Sequence, residues 1–303
     1  MTEIAHEAGA PPVAHRSRLR TTVETVLRNR LAVVGLGILT LLVIVAVFAD
    51  LIAPATVNEV DIPNRLSPPS STNLFGTDDL GRDVFSRVII ASRVSLQVGL
   101  ISVGLAMAVG VPIGLIAGYY GRLTDSILMR MMDVLFSFPA ILLAIAILAA
   151  LGAGITNAMV AIGIVYTPIF ARITRGSVLS VKQSVYVTAA RSLGASDARI
   201  IRSHILPNVL APIIVQTSLS LAFAILAEAA LSFLGLGVQP PDPAWGRMLA
   251  DGRGFFQTAW WMAVFPGLAI LLTVMSFNFL GDGLRDALDP QQRSVIESRG
   301  TSA

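Results

Sequence analysis

The side chains able to do acid–base, nucleophilic or metal chemistry are few and scattered. Three histidines and nineteen carboxylates stand among 303 residues, and there is no cysteine. His6 and His15 lie in a polar leader and His204 far downstream, which leaves no credible histidine metal site or Ser-His-Asp triad. Without cysteine there are neither disulfides nor thiolate metal sites. No G-x-S-x-G or H-E-x-x-H pattern occurs. The single lysine, Lys182, follows Val181, so a phosphate-binding G-x-x-x-x-G-K-[ST] loop cannot exist, and any ATP has to be bound by another chain. The sequence assigns no catalytic residue and no metal ligand, and does not read as an enzyme.

One ionisable residue sits where it should be expensive. Glu228, in Ala227-Glu228-Ala229-Ala230-Leu231, falls about three-quarters along an apolar run. In lipid such a group costs a few kcal/mol, so it must face a cavity or a partner. Two roles are open: lining a solute path, where it would meet a peptide amino terminus, or a helix-packing hydrogen bond. Packing is the preferred reading. Arg130 and Asp133, at i and i+3 near the end of another apolar run, read as a local ion pair rather than a proton relay.

The elements that position these residues are membrane spans. Hydrophobic residues make up 54% and charged residues 14% of the chain, mean hydropathy is +0.73, and soluble domains carry about 25% charged residues. The net charge of +3 does not suggest nucleic-acid binding, because the basic residues flank the apolar runs. Six runs are long enough to span a bilayer, each needing about 20 residues. They are Leu31–Ala49, Val94–Gly118, Ile127–Leu151, Ile155–Ala171, Val209–Leu231 and Ala259–Gly281. Tyr119 and Tyr120 read as an interfacial belt after the second run, and Trp260 and Trp261 as the entry to the sixth. Gly110, Gly114 and Gly118, at i, i+4 and i+8, form a small-residue face suited to close helix packing. Pro112, Pro139, Pro168 and Pro266 lie within spans, where neighbouring helices can satisfy the freed carbonyls.

With six spans both termini share one side. Five basic residues in the leader, two in the second loop, six in the central loop and three in the tail lie there, against six on the other side. The positive-inside rule makes the richer side cytoplasmic. The sequence divides into a cytoplasmic leader (1–30), a first span with an extracytoplasmic loop (31–93), a core of five spans (94–288) and a cytoplasmic tail (289–303).

The central loop, Tyr186–Asn208, is the longest polar and basic interruption in the second half of the chain. Val185, Ala189 and Leu193 form one helical stripe. Ser196 can cap a second short helix with Ala198, Ile201 and Ile205 on one face. Gly194 stands between the two, where a tight turn needs a residue without Cβ. Pro207 suits the first turn of the helix that follows. Small residues at the bend make a surface another protein could grip.

Three blocks carry a family resemblance that extends from about Arg28 to Pro290. Thr188-Ala189-Ala190, Gly194 and His204-Ile205-Leu206-Pro207 resemble the EAA loop of importer-type ABC permeases, with Thr188 in place of the usual Glu and His204 as in the peptide-importer branch. Gly76-Thr77-Asp78-Asp79-Leu80-Gly81-Arg82-Asp83-Val84-Phe85-Ser86-Arg87 resembles the signature of the C-type permease subunit of dipeptide and oligopeptide importers. From the residues alone this charge cluster is either an interfacial helix on the outer leaflet or a solvated loop with local ion pairs. The run from Glu228 to Gly237 and the segment Gln239–Gly246 look like the same subunit, the latter as a rigid, exposed, Pro-rich loop near a docked binding protein.

The resemblance implies an all-α type I ABC importer permease with six transmembrane helices. Its ATPase-coupling residues would be Thr188, Ala189, Ala190, Gly194, Ala195, Leu206 and Pro207, and the weaker candidate for the translocation path is Glu228. It further implies a B-type permease partner, two ATPase subunits carrying ATP and Mg, an extracytoplasmic binding protein and surrounding lipid. The solute would be a dipeptide or oligopeptide, with nickel chelate, glutathione or haem as alternatives in the same family. An ion-coupled secondary transporter using Glu228 and Asp133 is the reading from another class, and no clear internal repeat favours it. A subunit with no transport role is a third.

Overall fold

The computed structural model describes residues 18–288. His6, His15, Arg16 and the tail 289–303 lie outside the described residues. The described chain is helical, with twelve α-helices: α1 (Arg18–Arg28), α2 (Arg30–Val47), α3 (Ala49–Ile52), α4 (Val84–Tyr120), α5 (Arg122–Phe136), α6 (Ala140–Leu151), α7 (Ile155–Val181), α8 (Val185–Ser192), α9 (Asp197–Ile200), α10 (Leu206–Phe233), α11 (Trp245–Gly252) and α12 (Trp261–Leu288). Five units are long and apolar enough to cross a membrane: α2, α4, α7, α12 and the continuous stretch from Asp197 to Phe233. The pair α5 and α6 makes a sixth if counted as one bent span.

The span expected over Ile127–Leu151 is a bent pair of helices rather than one continuous helix. α5 ends at Phe136 and α6 begins at Ala140, and their axes are bent by 89°. Pro139 sits at the N-cap of α6 in an extended conformation. A proline has no N–H to continue the ladder and pushes the residue before it out of the α region, so the chain turns at Ser137-Phe138-Pro139. Hydropathy averaged over the window sees only apolar character and not the change of direction.

The glycine face is present and explains the most extensive helix–helix contact, α4 against α7. A Cβ at Gly110 would lie 2.5 Å from the Thr167 carbonyl oxygen, and one at Gly118 would lie 2.8 Å from the Val178 Cβ. At Gly114 it would press on the Ala171 carbonyl. The two backbones therefore meet directly along three turns, as small residues allow in a membrane setting.

Candidate functional site

The loop between α7 and α10 is built by local rules. α8 ends in a Schellman cap: the Gly194 N–H donates to the Arg191 carbonyl at 3.0 Å and the Ala195 N–H to the Ala190 carbonyl at 3.1 Å. Gly194 takes φ +80, the left-handed conformation that side chains with a Cβ resist. The fixed interval from Ala190 to Gly194 is thus the interval from the third-last helical residue to the cap. Thr188 turns its hydroxyl back onto the Ser184 carbonyl and Ala189 is exposed.

The stripe Val185, Ala189, Leu193 faces outward. Val185 is 85% and Leu193 88% exposed, while Val187 on the opposite face is buried in the core with Ile200 and Ile205. Two expectations for the second short helix are corrected. Ser196 occupies the cap position, but its side chain makes no capping hydrogen bond. Ala198 is exposed, while Ile205 is buried and Ile201 packs against the core as expected, and Ile200 joins them five residues before Ile205. The spacing follows from a π-helical turn over Ile201–Ile205, in which the Leu206 N–H reaches the Ile201 carbonyl. Pro207 sits in the first turn of α10. The π turn delivers the chain into Leu206 and Pro207 without a break, so α9 and α10 run on as one long rod.

Asp133 is not paired with Arg130 as expected. Its carboxylate meets the Arg172 guanidinium at 2.7 Å on α7, and Asp125 takes a two-pronged contact from Arg175 at 2.5 and 2.6 Å. Both ion pairs join α5 to α7, because the bend at Pro139 lays α5 alongside the end of α7 that leads into the loop.

At the other end of α4 the charge cluster is neither an interfacial helix nor a solvated loop. Asp78, Arg82, Asp83 and Arg87 are all buried. Asp78 accepts from the Leu80 and Arg82 backbone N–H groups at 2.9 Å and from Arg82 Nε at 2.6 Å. Asp83 caps α4 by accepting from the Ser86 N–H at 2.8 Å. Arg87 donates to the Val57 carbonyl at 2.7 Å. Gly81 (φ +79) turns where a Cβ would collide with Asp61.

The segment after α10 is also less exposed than its composition suggests. Trp245 opens α11, is buried, and donates its indole N–H to the Val88 carbonyl at 3.0 Å. Trp261 does the same to the Thr77 carbonyl at 3.0 Å. Within Gln239–Gly246 only Gln239–Asp242 remains exposed. Beside it, burial pushes the Asp251 carboxyl above its usual range, against the opposing pull of Arg247 at 3.0 Å. No sequence signal separated these two tryptophans from Trp260, which is exposed.

Glu228 is 1% exposed. It accepts from Ser232 at 2.7 Å and Ser95 at 3.3 Å, and Ser232 in turn accepts from the Val238 N–H at 3.2 Å. This is the packing arrangement. A separate apolar cavity of about 240 Å³ lies between α6, α7 and α10, lined by Ala144, Ile162, Tyr166, Phe223, Ala227 and Leu231 among others, and Glu228 is not in its wall.

Residues 110–294 match the family of binding-protein-dependent transport system inner membrane components. The chain belongs to that family. Residues 17–69 match the N-terminal TM domain of oligopeptide transport permease C, which makes it a permease of the C type and a multi-pass membrane protein. The permease is 48% identical over 292 residues to a dipeptide transport system permease protein of Alkalihalophilus pseudofirmus, covering 95% of this chain and 96% of the relative. It is 44% identical to a di/tripeptide transport system permease protein of Pseudomonas aeruginosa over 95% and 97% of the two chains. To a glutathione transport system permease protein of Pectobacterium atrosepticum it is 47% identical over 88% and 89%. Its fold is that of a chain in inward-facing structures of the MetNI methionine ABC transporter, with TM-score 0.55 at 19% identity, covering 67% of this permease and 96% of that chain.

Proposed function

We propose that this permease carries dipeptides and oligopeptides across the cytoplasmic membrane as the C-type subunit of an ABC importer, with both termini in the cytoplasm. It pairs with a B-type permease and receives its solute from an extracytoplasmic binding protein. Two ATPase subunits bind ATP and Mg, and this chain does no covalent chemistry itself. The leader ends near residue 30 and the tail begins after residue 288, and the expected boundary at 93 moves to the start of α4 at Val84, because that helix is continuous through residue 93. The similarity to permeases named for dipeptide and di/tripeptide transport supports the solute class, and the excess of basic residues around the loop supports the orientation.

The observation that carries the coupling role is the uncovered apolar face of α8, Val185 to Leu193, on a loop whose other face is packed into the core. Thr188, Ala189 and Ala190 present no bulk there, Gly194 and Ala195 fix the turn, and Leu206 and Pro207 pass motion into α10. ATPase closure displaces α8, and the two rods leaving the loop, α7 and α10, move with it. These rods are walls of the 240 Å³ cavity, and the ion pairs at Asp125 and Asp133 take α5 along. Glu228 holds α10 to α4 and is not a contact for solute.

The test is Gly194→Arg in the full complex, reconstituted with its binding protein. A Cβ at Gly194 meets nothing within 4 Å, so the new side chain points away from the permease. Dipeptide-stimulated ATP hydrolysis should no longer drive uptake. Unchanged uptake, or uptake that follows a proton gradient without ATP, would sink the reading. The 47% identity to a glutathione permease favours glutathione as a second solute, and competition between labelled dipeptide and glutathione for uptake separates the two.

A further inference from the structure

Tyr119 lies at the inner end of α4, one residue from its terminus, and does not face outward with its neighbour Tyr120 as a belt residue would. Tyr120 is 52% exposed and Tyr119 only 3%. Three segments of the loop converge on it. The phenol hydroxyl donates to the Asp197 carboxylate, at the start of α9. Arg191, in the last turn of α8, donates to the same oxygen at 3.2 Å. Lys182, which caps α7, donates to the Tyr119 main-chain carbonyl. The Lys182 ammonium and the Arg191 guanidinium also stand 5.5 and 5.6 Å from the ring centroid, within reach of its negative face.

A phenol is suited to this place. Its hydroxyl can donate to a carboxylate and accept from a guanidinium at once, so one atom bridges α9 and α8. Both bonds are charge-assisted, the stronger kind. Phenylalanine would keep the ring and lose the bridge. Elsewhere the loop reaches the spans through its two chain connections and the packing of Val187, Ile200 and Ile205, with Ala195 and Ile201 against them. Tyr119 adds a polar tie to α4, which the glycine face then carries along α7.

We propose that Tyr119 is a positioning residue that locks the two short loop helices to α4, so that displacement of the loop moves α4 together with α7 and α10. This rests on the reading that the loop docks the ATPases. The experiment uses the complete transporter in proteoliposomes, comparing the native protein with Tyr119→Phe, Asp197→Asn and Gly194→Arg. The readouts are ATPase subunits retained, ATP hydrolysed and labelled dipeptide imported per ATP. Tyr119→Phe should keep its ATPases and hydrolyse ATP within about twofold of native, while dipeptide per ATP falls roughly tenfold or more, the effect of losing two hydrogen bonds to charged groups. Asp197→Asn, an exposed change that keeps an acceptor, should lie between the two and carries the test if Tyr119→Phe does not assemble. A double variant should be no worse than Tyr119→Phe alone. If both variants import as much per ATP as the native protein while Gly194→Arg is uncoupled, the role of Tyr119 is refuted and the coupling reading stands. If Gly194→Arg is itself unaffected, the coupling reading is what fails.

Discussion

The two ends of α4, separated by 37 residues or about 55 Å of helix, are built in opposite ways. At the N-terminal end the chain closes on itself. Asp78, Arg82 and Arg87 are buried with hydrogen bonds to one another and to backbone, and Trp245 and Trp261 use their indole N–H groups on nearby carbonyls. At the loop end the inward face is just as well packed, yet the outward face leaves Val185 and Leu193 almost fully uncovered. Charged side chains are the buried ones at the first end, and apolar side chains are the exposed ones at the second. The first end is closed on itself, and the second leaves an apolar face uncovered.

That contrast can be tested at both ends. The largest effect on stability is expected from Asp78→Ala, which removes the carboxylate 2.6 Å from the buried Arg82 guanidinium and 3.8 Å from that of Arg87 and should cost about 3–5 kcal/mol, read as a fall in the unfolding temperature of the detergent-solubilised permease. Next is Gly114→Ala. Its Cβ would press on the Ala171 carbonyl, and the strain of prising α4 from α7 should cost about 1–3 kcal/mol. Gly104→Ala on the same helix meets nothing within 4 Å and should leave the unfolding temperature unchanged or raise it. A smaller loss, about 1 kcal/mol, should follow Gly194→Ala, where the only penalty is a Cβ in the left-handed region. Equal unfolding temperatures for Asp78→Ala and the native protein would break the contrast.

Much of this was legible from residue spacing. The glycine face, the apolar stripe of α8 and the turn at Gly194 each follow from a local period or a backbone requirement, and each is where the spacing puts it. What was missed depends on atoms far apart in sequence. Nothing local to Trp245 or Trp261 says that its N–H finds a carbonyl on α4 or in the turn before it. Asp133 has Arg130 one helical turn away, yet Arg172 wins because the bend at Pro139 brings α7 closer. Tyr119 and Tyr120 are the same residue type side by side, and only the folded loop buries the first and leaves the second exposed. Ile201 and Ile205 lie on the inward side as their spacing suggests, but Ile200 was missed and Ala198 misplaced, because a π turn adds a residue to the period and sets Ile205 five residues after Ile200.

The central claim is that the face of α8 is surplus to the fold and reserved for the ATPases. Its most direct test is Leu193→Asp in the co-expressed complex, with ATPase co-purification measured beside the unfolding temperature of the permease alone. Leu193 is 88% exposed, and surface changes of this kind shift stability by no more than about 0.5 kcal/mol. The account predicts a native unfolding temperature and loss of the ATPase subunits. Retention of the ATPases at native stoichiometry, with the permease equally stable, would contradict it.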